Sequence, residues 1–258
     1  MDSPQNTANK IISIWQEHFR SRSHHHDLDW LTLHNSVLSQ IPQSNLMTAI
    51  FSYADLSIFH INQAAANLFG FTVEEVLHAG APLLFSTFND DQVKFGAFEA
   101  EQTALELRRA KNKNLLNSYT CYANWVINNR NGAVHRVLFR TFPIELNEHG
   151  LPLTGMYLIH DIKPFTREKA WWMRTMMDGK TFFHFKSEEG KFLRKDLLTN
   201  REKSILSLLG EGFSSKEIAA SLHVSPHTID NHRRKMLAKT GAVDTSALIH
   251  IAKLSGLL

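Results

Sequence analysis

The chain has 258 residues, 43% of them hydrophobic and 21% charged, a composition that excludes a disordered or fibrous protein and leaves room for two domains. No apolar run approaches the roughly 20 residues that a membrane span needs, and the N-terminus lacks the basic-then-apolar order of a signal peptide. The sequence therefore predicts a cytoplasmic protein without a membrane partner. Its single cysteine, Cys121, excludes a disulfide framework and is expected to be a buried strand residue.

Charge is distributed unevenly along the chain. Residues 199–258 contain 8 Lys or Arg against 5 Asp or Glu, whereas residues 1–198 contain 20 of each kind. The entire formal excess of +3 therefore lies in the last segment. A neutral larger part joined to a basic smaller part is typical of a sensor or assembly domain attached to a nucleic-acid-binding unit.

Residues 1–44 are predicted to form a helical extension. Residues 8–20 place Ile11, Trp15 and Phe19 on one helix face, and that face is too apolar to stand in water. We therefore expect a homodimer, held by this helix together with the surface of the following domain.

Three adjacent histidines lie in the segment 24–27, and a second helix is predicted over residues 29–41. Histidines beside acids could ligate a metal ion, but neighbouring residues of a loop rarely point inward together. No metal site is therefore predicted.

The pattern changes to short β-branched and aromatic segments after this extension. Five strands are predicted, near 47–53 and 56–61, then at 116–128, 134–146 and 152–162. Short helices and a polar helix at about 91 to 110 separate the second strand from the third. Asn131-Gly132 and the turn at 148–150 are typical of antiparallel hairpins.

Helix signals follow the second strand in the stretch NQAAANLFGFTVEEVL. Gly70 ends one short helix, and Thr72 precedes Glu75 by three residues, the spacing of a capping box. This order of strands and helices resembles a PAS domain spanning residues 45–163. The resemblance implies an α+β fold, with helices flanking a five-stranded antiparallel sheet.

PAS domains hold a flavin, a haem or a small molecule between helices and sheet, or they hold nothing and dimerise. The Asn-Cys-Arg motif of flavin-binding members is absent, and the predicted helix at 91–110 contains no histidine for a haem. No cofactor is therefore predicted, and a small-molecule ligand and a ligand-free assembly role both stay open. A receiver domain is disfavoured because Asp90 and Asp91 follow no apolar strand.

Residues 164–197 are interpreted as a connector between two domains. Its aromatic and methionine residues recur at helical spacing, which predicts a short packed helix. They are Trp171, Trp172, Met173, Met176 and Met177. A small hairpin is predicted around the turn at 187–190.

Residues 198–258 are predicted to form an all-α unit of four helices. Thr199 precedes Glu202 by three residues, and Ser214 precedes Glu217 by three, so both pairs match the capping box that begins a helix. Two further helices follow. Four helices in about sixty residues can close a small core.

The third of these helices begins with Ser225 as N-cap and Pro226 at its first position. Its apolar side should pack and contains Ile229, His232, Met236 and Leu237. Its polar side contains His227, Asp230, Asn231 and Arg234, with Arg233, Lys235 and Lys239 flanking it. Such a helix fits a DNA major groove, because it offers polar groups to base edges and cations to phosphates.

Together these motifs resemble the LuxR/FixJ-type helix-turn-helix domain. The residues that carry the resemblance are Leu198-Thr199-x-Arg201-Glu202, Lys216-Glu217-Ile218-Ala219, Ser225, Thr228-Ile229, His232 and Lys239-x-Gly241. The resemblance implies that Asp230, Asn231 and Arg234 face bases, and His227 lies on the same helix face. It also implies that the DNA backbone is bound by Lys216, Thr228, Arg233 and Lys235. Asp230 departs from the family, which often has a basic residue there, and its carboxylate could accept from cytosine N4.

The sequence as a whole predicts a bacterial transcriptional regulator that binds double-stranded DNA and senses a signal or dimerises through its PAS-like domain. RNA polymerase is a further candidate partner. An enzyme is disfavoured because no nucleophile elbow, phosphate loop, kinase motif set or paired zinc histidines occur. The alternative is an interaction adaptor whose helical domain only dimerises. Three adjacent cations, Arg233 to Lys235, argue against that alternative.

Overall fold

A computed structural model describes residues 13, 46–89, 91–92, 96, 119–146, 151–166, 171–177, 180–186 and 191–258. Several predicted features lie outside the described residues. They are the two N-terminal helices apart from residue 13, the histidine segment, most of the helix at 91–110, and the turns at 148–150 and 187–190. Within the described residues, no helix has both the length and the apolar character to span a membrane.

The larger part of the chain alternates strands with three short helices. Its elements are β1 (Met47–Ser52), β2 (Ile58–Ile61), α1 (Gln63–Phe69), α2 (Val73–Ala79), α3 (Ala81–Phe85), β3 (Tyr119–Asn128), β4 (Val134–Leu146), β5 (Pro152–Asp161), a 3-10 turn (Lys163–Phe165), β6 (Trp172–Met177), β7 (Lys180–Lys186) and β8 (Lys191–Leu193). The C-terminal part is helical and contains α4 (Asn200–Gly210), α5 (Ser215–Ser221), α6 (Pro226–Thr240) and α7 (Thr245–Leu254).

All described strands join one antiparallel sheet in the order β2-β1-β5-β4-β3-β6-β7-β8. The first five strands of that order are the five that the sequence predicts, and α1 to α3 lie between β2 and β3 in the chain. The α+β, PAS-like fold is therefore confirmed. The sheet is wider than predicted, because β6, β7 and β8 extend it to eight strands.

The prediction of a helix at Trp171 to Met177 is wrong. Trp172–Met177 form β6, which pairs with β3 so that Met173 lies opposite Ala123 and Arg174 opposite Tyr122. Both faces of β6 are covered, since four successive residues from Trp172 are buried. Apolar residues on both faces remove the alternation that identifies a strand. The hairpin predicted next is confirmed as the β7 and β8 pair.

Local signals in the PAS-like domain place its helices. The Thr72 hydroxyl accepts from the Glu75 amide and the Glu75 carboxylate accepts from the Thr72 amide, so the predicted capping box is confirmed. Gly70 ends α1 in the left-handed conformation at φ 81°, which other residues adopt only with strain.

One face of the sheet carries an aromatic core beneath the short helices. Phe51 stacks on Tyr157 with ring centroids 4.3 Å apart, and Phe88 meets Trp125 edge-on at 4.9 Å. Cys121 belongs to this core and is 7% exposed, as predicted for a buried strand residue. We call this side of the sheet the inner face.

The opposite side of the sheet, the outer face, packs against the C-terminal helices. Tyr122, Leu138 and Trp172 share one apolar cluster with residues of α4, α5, α6 and α7. The Val243 amide also donates to the Phe165 carbonyl at 3.0 Å, so backbone contacts join the two parts as well. The helical unit is therefore docked on the sheet.

Candidate nucleic-acid interface

Four capped helices form the C-terminal domain. Both predicted capping boxes are present, Thr199 with Glu202 at the start of α4 and Ser214 with Glu217 at the start of α5. Satisfying the free amides at a helix start fixes where the helix begins. The domain core is apolar and includes Ile205, Leu206, Ile218, Ile229, Met236, Leu248 and Ile251.

A tight turn between α5 and α6 creates the helix-turn-helix geometry. His223 adopts a positive φ of 53° in this turn, which is an uncommon conformation for a non-glycine residue. The Ser225 hydroxyl then accepts from the Thr228 amide at 3.1 Å, and Pro226 occupies the first turn of α6. Both predicted start signals of α6 are therefore confirmed.

The inward side of α6 agrees with the predicted apolar stripe. Ile229 and Met236 are fully buried, and His232 and Leu237 are half-buried. Because this side anchors α6 in the domain core, the opposite side of the helix faces solvent.

The outward side of α6 presents an accessible polar strip. Its exposed members are His227, Arg234 and Lys235, while Asn231 is half-buried. Arg234 donates from Nη2 to the Asn231 Oδ1, so these two side chains lie together. Lys216 of α5 is also exposed. Thr228 is half-buried, and its hydroxyl lies 2.9 Å from the Ser225 hydroxyl. The strip offers amide, imidazole and guanidinium groups to an external partner.

Arg233 lies differently from its neighbour Arg234. Its guanidinium donates to the Thr245 Oγ1 at 3.2 Å from Nε and 2.5 Å from Nη2, and to the Ser215 Oγ at 3.0 Å. Ser215 begins α5 and Thr245 begins α7. Arg233 therefore ties three helices of the domain together.

Asp230 takes part in the same cluster. Its Oδ1 accepts from the Ser215 hydroxyl at 2.9 Å and lies 3.3 Å from Nη1 of Arg233. We call Ser215, Asp230, Arg233 and Thr245 the α6 clamp. The only sequence signal for it was the i, i+3 spacing of opposite charges on α6, since the partners on α5 and α7 are distant in sequence.

A second ion pair is buried inside the domain. Glu202 is 2% exposed and its Oε2 accepts from Lys239 Nζ at 2.6 Å. Burial alone would raise the pKa of Glu202, but hydrogen bonds from Lys239 and Thr199 outweigh it and hold that pKa below its ordinary value. Lys239 is therefore engaged within the domain rather than on the outward strip.

Within the described residues, no group of three His, Cys, Asp or Glu side chains is placed to hold a metal ion. The candidate interface is thus a surface of polar and cationic groups around α6. The structure brings His227, Asn231, Arg234 and Lys235 to one accessible side, and it directs Asp230 and Arg233 towards the clamp.

Comparison with known proteins assigns this part of the chain. Residues 196–252 match the family described as bacterial regulatory proteins, luxR family. The C-terminal domain belongs to the luxR family.

Two named bacterial regulators are similar to part of the chain. The chain is 42% identical over 57 residues to the transcriptional regulatory protein UhpA of Salmonella typhimurium, a match that covers 22% of this chain and 29% of UhpA. It is 34% identical over 101 residues to the transcriptional regulatory protein MctR of Rhizobium johnstonii, covering 37% and 46%. The chain therefore spans less than half the length of these relatives.

A solved structure also aligns over most of the chain. It is the ligand and DNA complex of VqmA from Vibrio cholerae, at 17% identity, covering 88% of each chain with a TM-score of 0.32.

Proposed function

We propose that the chain is a sequence-specific DNA-binding transcriptional regulator in which α6 enters the major groove. The observation that carries this proposal is the outward strip of α6, where polar and cationic groups are exposed and point away from the protein. The match of residues 196–252 to the luxR family of bacterial regulatory proteins supports this proposal. Groups of these types at base edges and phosphates are what groove recognition requires.

Roles on the strip follow from exposure and chemistry. Asn231 and Arg234 are assigned to base reading, because an amide and a guanidinium can each make paired hydrogen bonds to a base. His227 lies on the same exposed side, one turn nearer the start of α6. Lys216 and Lys235 are assigned to the DNA backbone, where exposed ammonium groups replace condensed counterions.

The remaining predicted site residues receive more qualified roles in this proposal. Thr228 near the start of α6 is assigned to a phosphate, where its hydroxyl can donate. Asp230 keeps its predicted base-facing role with its free carboxylate oxygen, while its other oxygen serves the α6 clamp. Arg233 is assigned to the clamp first, and its predicted phosphate contact requires it to leave Thr245.

The PAS-like domain is proposed to be the input and assembly part of a cytoplasmic homodimer. Its inner face carries an aromatic core beneath the short helices, so a small molecule between sheet and helices would have to be apolar. Two readers are needed because helix-turn-helix proteins bind half-sites about one DNA turn apart. RNA polymerase would be the further partner of such a regulator, and the chain itself would have no enzymatic activity.

Selection from a random duplex pool with the full chain tests the function directly. We expect enrichment of a two-half-site motif whose binding weakens steeply with salt. The Arg234→Ala variant serves as the matched control, because it should bind DNA without enriching that motif. A chain that stays dimeric in light scattering but binds no duplex at low salt would be the interaction adaptor instead.

A further inference from the structure

Strand β6 places two polar side chains against the luxR-family domain. Trp172 and Arg174 are two residues apart, so they point to the same side of the sheet. Both are buried, at 2% exposure each. A buried arginine is rare unless its charge and its hydrogen bonds are satisfied, which makes the surroundings of Arg174 informative.

Arg174 binds the end of the last helix. Its Nη1 donates to the carbonyl of Ser255 at 2.9 Å and of Gly256 at 3.2 Å. Ser255 is the C-cap of α7, so these are carbonyls that the helix itself leaves without partners. A cation at a helix C-terminus is also favoured by the helix dipole.

Trp172 makes the equivalent contact with α6. Its Nε1 donates to the carbonyl of Thr240 at 3.2 Å, and Thr240 is the last residue of α6. Strand β6 therefore supplies hydrogen-bond donors to the C-terminal ends of both α6 and α7.

The charge of Arg174 is balanced at the same place. Asp196 accepts from its Nε at 2.8 Å, and the same carboxylate also pairs with Lys203 of α4. Burial alone would raise the pKa of Asp196, but the contacts with Lys203 and Arg174 hold that pKa below its ordinary value. The lowered pKa keeps the Asp196 carboxylate ionised, so that it balances the charge of Arg174.

Gly256 allows the close approach that this contact needs. A Cβ at this position would lie 2.8 Å from the Tyr122 hydroxyl, and the residue has a positive φ of 62°. Only glycine meets both conditions without displacement of the sheet or the helix end. The end of α7 is therefore fitted to the outer face beside Arg174.

We propose that Arg174 and Trp172 are positioning residues for DNA binding. They hold the ends of α7 and α6 on the outer face of the sheet and so fix the direction of α6. The inference rests on the proposed function. The outward strip of α6 stays exposed in this docked arrangement, so docking orients α6 without covering its outward side. In a dimer, the two docked readers would then be held at one fixed separation.

The test uses Arg174→Met and Trp172→Phe in the full chain, which remove the donors while keeping apolar bulk. Matched controls are Arg130→Met, whose side chain is 57% exposed on a distant turn, and Trp125→Phe, whose Nε1 has no hydrogen-bond partner in the described part of the chain. Circular dichroism confirms folding of each variant. If Arg174→Met does not fold, Trp172→Phe carries the test alone.

Hydrogen exchange without DNA measures docking. We expect the last turns of α6 and α7 to exchange at least about tenfold faster in the two variants, relative to α5 amides of the same molecule, because charged and neutral hydrogen bonds at those ends are lost. Exchange unchanged from the Arg130→Met and Trp125→Phe controls would overturn the proposal.

Half-site spacing measures positioning. Duplexes carrying the selected half-sites at their natural spacing or half a turn further apart are compared, together with a single half-site. Wild type should prefer its natural spacing, and both variants should lose most of that preference while binding the single half-site within about twofold of wild type. A retained preference, or a wild type that has none, overturns the proposal. Failure of the proposed function is different, because wild type then binds no duplex at all.

Discussion

The two sides of the luxR-family domain differ in how the polar side chains found there are hydrogen-bonded. On the side that faces the sheet, Arg174 and Trp172 meet helix-end carbonyls and are buried. On the side that faces solvent, Arg234 and Lys235 are exposed and make no hydrogen bond or ion pair with another element of the described structure. Arg174 and Trp172 are therefore hydrogen-bonded within the chain, whereas the solvent side has hydrogen-bonding groups left for a partner.

This contrast separates stability from recognition. A buried donor whose partner is removed costs the protein its full desolvation penalty, so changes on the sheet side and in the core should lower stability. Exposed cations contribute little to stability because water already solvates them. Changes on the outward side should therefore alter DNA binding and leave unfolding almost unchanged. The variants below test that division.

The largest expected effect concerns Glu202 in the domain interior. Glu202→Ala should lower the free energy of unfolding by about 3 kcal/mol, because it leaves Lys239 and the Thr199 amide without their shared acceptor. Glu217→Ala is the matched control, since Glu217 holds the same capping-box position in an exposed place. Urea unfolding of both variants decides the matter. Equal losses in the two would mean that the buried pair adds nothing to capping.

The same carboxylate predicts a pH dependence with a definite sign. The pKa of Glu202 is held below its ordinary value of 4.5, so its contribution is complete above that value and disappears as pH falls through the lowered folded pKa. Glu202→Gln should flatten this part of the stability profile, measured by urea unfolding at several pH values below 5. An equally steep acid loss in the variant would assign the effect to other carboxylates, such as Asp196.

The next effect concerns recognition by the outward side. Arg234→Ala and Asn231→Ala should each reduce discrimination between the selected duplex and a scrambled one by about 2 kcal/mol, the value of a good base contact. Their unfolding free energies should stay close to wild type. Titrations on both duplexes measure this, and equal losses on the two duplexes would remove these residues from base reading.

The capping boxes show what could be predicted from sequence. Thr72, Thr199 and Ser214 each lie three residues before the glutamate that completes the box. Such signals lie within one helical turn, so they are visible in the chain and the helix starts were predicted. The exposed and buried sides of α6 followed from the same local periodicity.

Contacts between distant segments could not be predicted in this way. Trp172 and Thr240 are separated by 68 positions and Arg174 and Ser255 by 81. The sequence predicts a helix where β6 forms, because the partner strand β3 lies far away in the sequence and both faces of β6 are buried. The α6 clamp was missed for a related reason, since periodicity cannot tell which of two adjacent arginines turns inward.

A smaller effect concerns a buried amide on the sheet side. Asn124 is fully buried on β3 opposite Leu138 and Trp172, and neither atom of its amide has a hydrogen-bond partner in the described part of the chain. Asn124→Leu should raise the free energy of unfolding by about 1 kcal/mol, because a buried unpaired amide is replaced by an apolar group of similar shape. Urea unfolding would contradict this if the variant were less stable than wild type.

The smallest expected effect concerns a single cation at the edge of the outward side. Lys235 is exposed and has no hydrogen bond or ion pair among the described residues, so its ammonium group is available to a phosphate. Lys235→Ala should weaken binding to the selected and the scrambled duplex by the same factor, and should reduce the slope of log affinity against log salt by about 0.9. Lys253→Ala is the matched control, because Lys253 is an exposed lysine near the end of α7 rather than on α6. If Lys235→Ala weakened binding to the selected duplex only, Lys235 would be a base-reading residue like Asn231 and Arg234. It would then not belong with the residues that contact phosphates.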